Sequence, residues 1–155
     1  MLRIFRRHEI RKTESLGGRW RFRAEGAPRP TSRTIQVPGA WESVPGLEGY
    51  RGRAAYWRRV RLERTGNIRL VFGGVSHTAE VYLDNEVVAT HYDAFTPFEA
   101  FVPNVEAGDH ELKVLVDNSF GPDSCLHKEN DYYTYGGITR PLELQVVPDR
   151  FIDSL

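Results

Sequence analysis

The chain has 155 residues, 21 basic against 21 acidic side chains, 40% apolar and 27% charged residues, and one cysteine. That length fits one domain with a single core and falls far short of the ~250 residues of a (β/α)8 barrel. The composition excludes a disordered chain and a membrane span, and the lone Cys125 excludes an intramolecular disulfide framework or a thiolate site made from it alone.

The opening Met-Leu-Arg-Ile-Phe-Arg-Arg-His-Glu-Ile-Arg-Lys carries positive charge but no apolar run of the kind a secretory leader needs, so a cytoplasmic location is expected. Residues 1–13 read as an N-terminal arm, 14–148 as one sandwich and 149–155 as a tail, with no internal repeat and no second-domain boundary. In the first segment Arg19, Arg21 and Arg23 alternate with aromatic or small residues, as solvent-facing positions of a strand do. Thr34 to Val37 is the next strand candidate, and Val37-Pro38-Gly39 ends it. Ala40 to Ala55 then reads as a long loop with Trp41, Tyr50 and several Gly and Pro residues.

Tyr56 to Leu62, Ile68 to Phe72 and Ala79 to Leu83 follow as strands, the last with Ala79, Val81 and Leu83 on one face. Asp84-Asn85 joins it to Val87–His91 as a hairpin, since both residue types tolerate the positive φ of a tight primed turn. Phe98 to Val102, Glu111 to Val116 and Pro141 to Val146 complete the set, and a second long loop, Asn118 to Gly137, precedes the last strand. No segment sustains a helical apolar stripe over three turns. About eight short antiparallel strands at intervals of roughly 8 to 12 residues predict an all-β jelly-roll sandwich. Trp20, Phe22, Trp57, Phe72, Tyr82 and Phe101 are expected to fill its core or cover its ends.

The zero net charge hides an asymmetry. Met1–Arg64 holds 16 basic and 6 acidic residues, and Thr65–Leu155 holds 5 and 15. The basic half does not read as a nucleic-acid surface: its arginines alternate along strands, and no recognition-helix, zinc-finger or RNP-type signature accompanies them. His77, His91 and His127 are too widely spaced for a zinc motif, and no cofactor is expected; a structural Ca2+ held by Asp and backbone carbonyls stays open, without an EF-hand-like loop to support it. Gly73-Gly74 and Gly136-Gly137 lack the Lys-Ser/Thr pair and following helix of a phosphate cradle, and are expected to permit tight strand starts or positive φ.

Several motifs in shared order resemble the N-terminal sugar-binding domain of glycoside hydrolase family 2, the β-glucuronidases and β-galactosidases. They are Leu16–Phe22, Val37-Pro38-Gly39-Ala40-Trp41, Ala55-Tyr56-Trp57-Arg58, the block from Leu70 to Leu83, Tyr92 to Glu99, and Asn130-Asp131-Tyr132-Tyr133-Thr134-Tyr135-Gly136-Gly137-Ile138-Thr139-Arg140. The resemblance implies a galactose-binding-like jelly roll. It also implies that the family's immunoglobulin-like domain and catalytic barrel, with its two catalytic glutamates, are not part of this chain. Retaining glycoside hydrolysis needs two carboxyl groups roughly 5 to 5.5 Å apart, so the chain is expected to bind carbohydrate of the β-glucuronide or β-galactoside type without hydrolysing it alone.

The resemblance puts Asp131 first among the sugar contacts, because the matching aspartate reaches a sugar hydroxyl in the family, and a carboxylate accepts charge-assisted hydrogen bonds from hydroxyls. Asn130 shares its motif. Tyr132, Tyr133 and Tyr135 can cover the apolar C–H face of a sugar, Arg140 is a local cation for an acidic sugar, and Trp41 can reach either a ligand or the core. Two other readings use the same aromatic surface: it can meet a glycosidase barrel supplied by another chain, which this domain would complete, or a second copy of the chain.

Overall fold

Alternation of apolar and polar side chains becomes two sheets. A computed structural model describes residues 12–26, 33–121 and 134–151. Its strands are β1 (Lys12–Ser15), β2 (Gly18–Ala24), β3 (Arg33–Val37), β4 (Arg53–Leu62), β5 (Gly66–Phe72), β6 (Thr78–Leu83), β7 (Glu86–Tyr92), β8 (Phe98–Val105), β9 (Gly108–Asp117) and β10 (Leu142–Val147). The helical content among the described residues is one 3-10 turn, Trp41–Ser43, and no helix there is long and apolar enough to cross a membrane.

The strands form a four-stranded sheet in the order β1-β10-β5-β8 and a six-stranded sheet in the order β3-β2-β4-β9-β6-β7. Every pairing between them is antiparallel. The protein is therefore a β-sandwich, as the period-two pattern predicts. Trp20 and Phe22 of β2, Tyr56 of β4, Leu112 and Val114 of β9, Leu70 and Phe72 of β5 and Leu144 of β10 are all buried in one core. The hairpin between β6 and β7 turns at Asp84 and Asn85, with φ of 49° and 72°, the left-handed values that its residue types favour.

Two strands exceed the periodicity-based count. β1 is exposed along its whole length, so no apolar face announces it; its backbone pairs with β10 from Lys12↔Val146 to Ser15↔Glu143. β2 has the alternation that its arginines already mark, with Trp20, Phe22 and Ala24 inside.

Three aromatic residues depart from the expected core. Ala100 takes the inward position of β8, which turns Phe101 outward and leaves it 49% exposed beside Phe151. Trp57 and Tyr82 are likewise half-buried on the outer face of the six-stranded sheet, because Tyr56 and Val81 hold the inward positions.

Candidate functional site

The segment Thr134 to Arg140 runs into β10 and is tied to the sandwich by its backbone. Gly136 is fixed at both peptide groups. Its N–H donates to the two carboxylate oxygens of Glu42, at 2.9 and 3.2 Å, and its carbonyl accepts the Trp41 N–H at 3.0 Å. Gly137 exchanges both backbone bonds with Ser76, at 2.8 and 2.9 Å, and Gly39 N–H donates to Ile138 O at 2.8 Å. Glycine is required at this crossing for two reasons. A Cβ on Gly136 would lie 2.1 Å from the Trp41 ring, and Gly137 combines φ of +121° with a Cβ position 2.7 Å from the Tyr56 hydroxyl.

Trp41 resolves to the core side of its two expectations. It has no exposed surface, contacts Tyr50 edge to face at a centroid distance of 5.6 Å, and donates its indole N–H to Tyr50 O at 3.3 Å. Its contribution to the site is indirect, as the plate against which Gly136 lies. Glu42 beside it pays a desolvation cost: burial pushes its carboxyl above the usual carboxylate range, against the Gly136 N–H and the Arg51 charge, which favour the ionised form.

Above this foundation Tyr135 and Arg140 come together in a pocket of about 190 Å³, with Ser76, Ala94, Phe95, Thr134 and Thr139. Tyr135 and Phe95 are 55% and 62% exposed, so both side chains are accessible from solvent. Arg140 donates from its guanidinium to Phe95 O at 2.9 Å. Its stem lies over Gly73 and Gly74, where a Cβ would approach it to 3.1 and 3.0 Å. Close approach of a side chain thus explains this glycine pair; neither residue has a left-handed φ. On the far side, Asp93 accepts the Phe95 N–H at 3.0 Å and closes the turn that presents the ring. That bond holds the Asp93 carboxyl below its ordinary value. His77, next to Ser76, is buried and packs edge to face on Tyr92, and burial lowers its pKa.

Of the residues named from sequence, Tyr135 and Arg140 share this pocket and Trp41 underlies it. Asp131, Asn130, Tyr132 and Tyr133 lie outside the described residues, as does His127. Phe95, Ser76, Thr134 and Thr139 are additions of the structure. Phe95 and Ser76 stand in the motifs that carry the family resemblance, but their meeting with Tyr135 depends on the isolated bridge Ser76↔Gly137, between residues remote in sequence. Among the described residues no group of three His, Cys, Asp or Glu side chains could hold a metal ion.

Among the described residues the lining therefore combines two exposed rings, four hydroxyls, that of Tyr135 included, and one guanidinium. Rings cover C–H faces and the polar groups meet hydroxyls or an anionic substituent, which is chemistry suited to holding a polyhydroxylated ligand.

The chain is similar to known proteins over most of its length. Residues 43–148 match the family described as glycosyl hydrolases family 2, sugar binding domain. A β-glucuronidase of Streptococcus agalactiae is 28% identical, over 93% of this chain and 29% of that protein. Among solved structures, the family 2 β-galacturonidase of Eisenbergiella tayi bound to galacturonate is 47% identical with a TM-score of 0.82, covering 94% of this chain and 26% of that one. A β-glucuronidase of an uncultured Clostridium is 25% identical with a TM-score of 0.80, covering 96% and 31%. The chain thus spans less than a third of the length of each of these relatives.

Proposed function

We propose that this chain, which belongs to glycosyl hydrolase family 2 as its sugar binding domain, holds a carbohydrate in the pocket of Phe95, Tyr135 and Arg140 and contributes binding rather than bond cleavage. The observation that carries this reading is the lining itself, where two exposed rings flank hydroxyls and a single guanidinium. A sugar of the β-glucuronide or β-galactoside type is the favoured ligand, in keeping with the β-glucuronidases and the galacturonate-bound β-galacturonidase that the chain is similar to. Family glycosidases of the retaining kind work through a carboxyl pair roughly 5 to 5.5 Å apart, and among the described residues the lining of this pocket holds no such pair.

An open pocket of this size with two stacking surfaces supports weak affinity, in the range of about millimolar to high micromolar Kd. Titration of methyl β-glucuronide and methyl β-galactoside, followed by NMR at the amides of Tyr135, Gly136 and Gly137, tests it. Saturable shifts in the wild type and their loss in Tyr135→Ala are expected; unmoved amides with both sugars would sink the reading.

A second reading draws on the same exposed rings. Phe95 and Tyr135, with Phe120 at 38% exposure, form an aromatic end of the sandwich suited to meeting a glycosidase barrel, which this domain would complete. Mixing the chain with a family member that lacks its sugar-binding domain, and assaying glucuronide hydrolysis, separates the two. Restored turnover favours completion of an enzyme, and sugar binding without restored turnover favours the first reading.

A further inference from the structure

The outer face of the six-stranded sheet gathers what the sequence spreads out. β2 turns Arg19, Arg21 and Arg23 outward while Trp20, Phe22 and Ala24 point into the core. β4 lies beside it, with Arg21 opposite Trp57 and Arg23 opposite Ala55, and turns Arg59 and Arg61 to the same side. Five arginines from two neighbouring strands thus share one face with a half-buried indole. The guanidinium carbons of Arg21 and Arg23 sit 4.6 and 5.6 Å from the Trp57 ring centroid, and Lys113 of β9 is its cross-strand partner on the other side.

Acceptors stand along the margin of this cationic area. Glu111 takes Arg21 at 3.1 Å and Asp109 takes Arg61 at 3.2 Å. On the opposite margin β3 sets Thr34 and Gln36 across from Arg21 and Arg19. Outward positions along one strand repeat at about 7 Å, so the charges form a regular row.

We propose that this face binds an extended anionic glycan, a chain of uronate sugars, as a second site independent of the Phe95–Tyr135 pocket. Guanidinium groups take the carboxylates, while Glu111, Asp109, Gln36 and Thr34 accept or donate hydrogen bonds at sugar hydroxyls. A single-stranded nucleic acid is the competing polyanion, and the face suits it less. Base stacking calls for successive open rings, whereas this surface offers one ring already covered by two guanidinium groups.

The test uses the whole chain and three probes: polygalacturonate, its fully methyl-esterified form, and a single-stranded oligothymidylate. Saturable binding of polygalacturonate, quenching of indole fluorescence, and about tenfold weaker binding in Arg19→Glu/Arg23→Glu/Arg59→Glu are expected. The triple variant changes exposed positions only, and an unchanged thermal melt checks that it folds. Lys12→Glu, an exposed change on β1 of the other sheet, is expected to bind the polymer as the wild type does, which ties binding to this face and not to positive charge in general. Equal binding of the esterified polymer, tighter binding of the oligothymidylate, or a triple variant as good as the wild type would each overturn the proposal.

Discussion

Gly136 shows how narrowly one residue can be fixed. Its N–H, its carbonyl and the space above its Cα are all claimed, by Glu42, by the Trp41 amide and by the Trp41 ring. Gly136→Ala must move an indole that has no exposed surface, and a loss of about 1 to 3 kcal/mol in unfolding free energy is expected. Gly66→Ala is the control, because a Cβ there meets nothing within 4 Å and its φ is not left-handed; its urea midpoint should stay close to that of the wild type. The sequence exposes the glycine pair and the tryptophan separately, and both are legible as special. That one is the reason for the other is not, since 95 positions separate them and only the folded crossing brings them into contact.

Among the elements, the β6–β7 hairpin carries a titratable lock. His110 at the start of β9 places Nδ1 2.5 Å from Asp84 Oδ2 and Nε2 2.8 Å from Glu106 O, while Asp84 Oδ1 accepts the Glu111 N–H at 2.8 Å. A carbonyl and a carboxylate both need a donor, so this geometry is satisfied when both ring nitrogens carry protons. The hydrogen bond to Asp84, opposed in part by burial, raises the His110 pKa above its ordinary 6.5. Burial pushes the Asp84 carboxyl up, but the bonds from His110 and Glu111 outweigh it and leave its pKa below 3.8. The signs follow from linkage. The histidine contribution is complete below its unfolded pKa and fades as pH rises through the raised folded value; the aspartate contribution holds above its unfolded pKa and fades as pH falls. Urea unfolding of wild type and His110→Ala should therefore differ most near pH 5 and converge by about pH 9. A difference that grows with pH would contradict the assignment. The hairpin was legible in sequence through Asp84-Asn85, as were most strands through their alternation. β1 was not, because Lys12 to Ser15 buries no side chain and owes its place to backbone pairing alone.

Taken as a whole, the molecule uses its opposed halves internally. Basic residues of β2 and β4 meet acidic residues of β9 through Arg21–Glu111, Arg61–Asp109 and Arg53–Asp117, at 3.1, 3.2 and 4.0 Å. The charge count revealed the split, but not that strand order would lay one half against the other. These pairs are exposed, and each is worth about 0 to 1 kcal/mol. Raising salt from about 0.05 to about 0.5 M should thus change the unfolding free energy by less than about 2 kcal/mol, measured by urea titration at each ionic strength. A larger loss would mean that the sandwich leans on its surface charges more than on its core.

The anchoring of Gly136 and Gly137 has a counterpart at the other end of the same stretch. Asn118, fully buried, exchanges hydrogen bonds with Gly52 through its backbone N–H and its side-chain oxygen. Residues 122–133 are thus inserted between two points that the framework holds by itself. A change in their number costs closure entropy that grows slowly, about 0.6 kcal/mol for each doubling of length, and leaves the anchors untouched. Evolution, or an engineer, can in this way exchange the chain between these anchors as a cassette, on a scaffold that does not have to be reinvented each time.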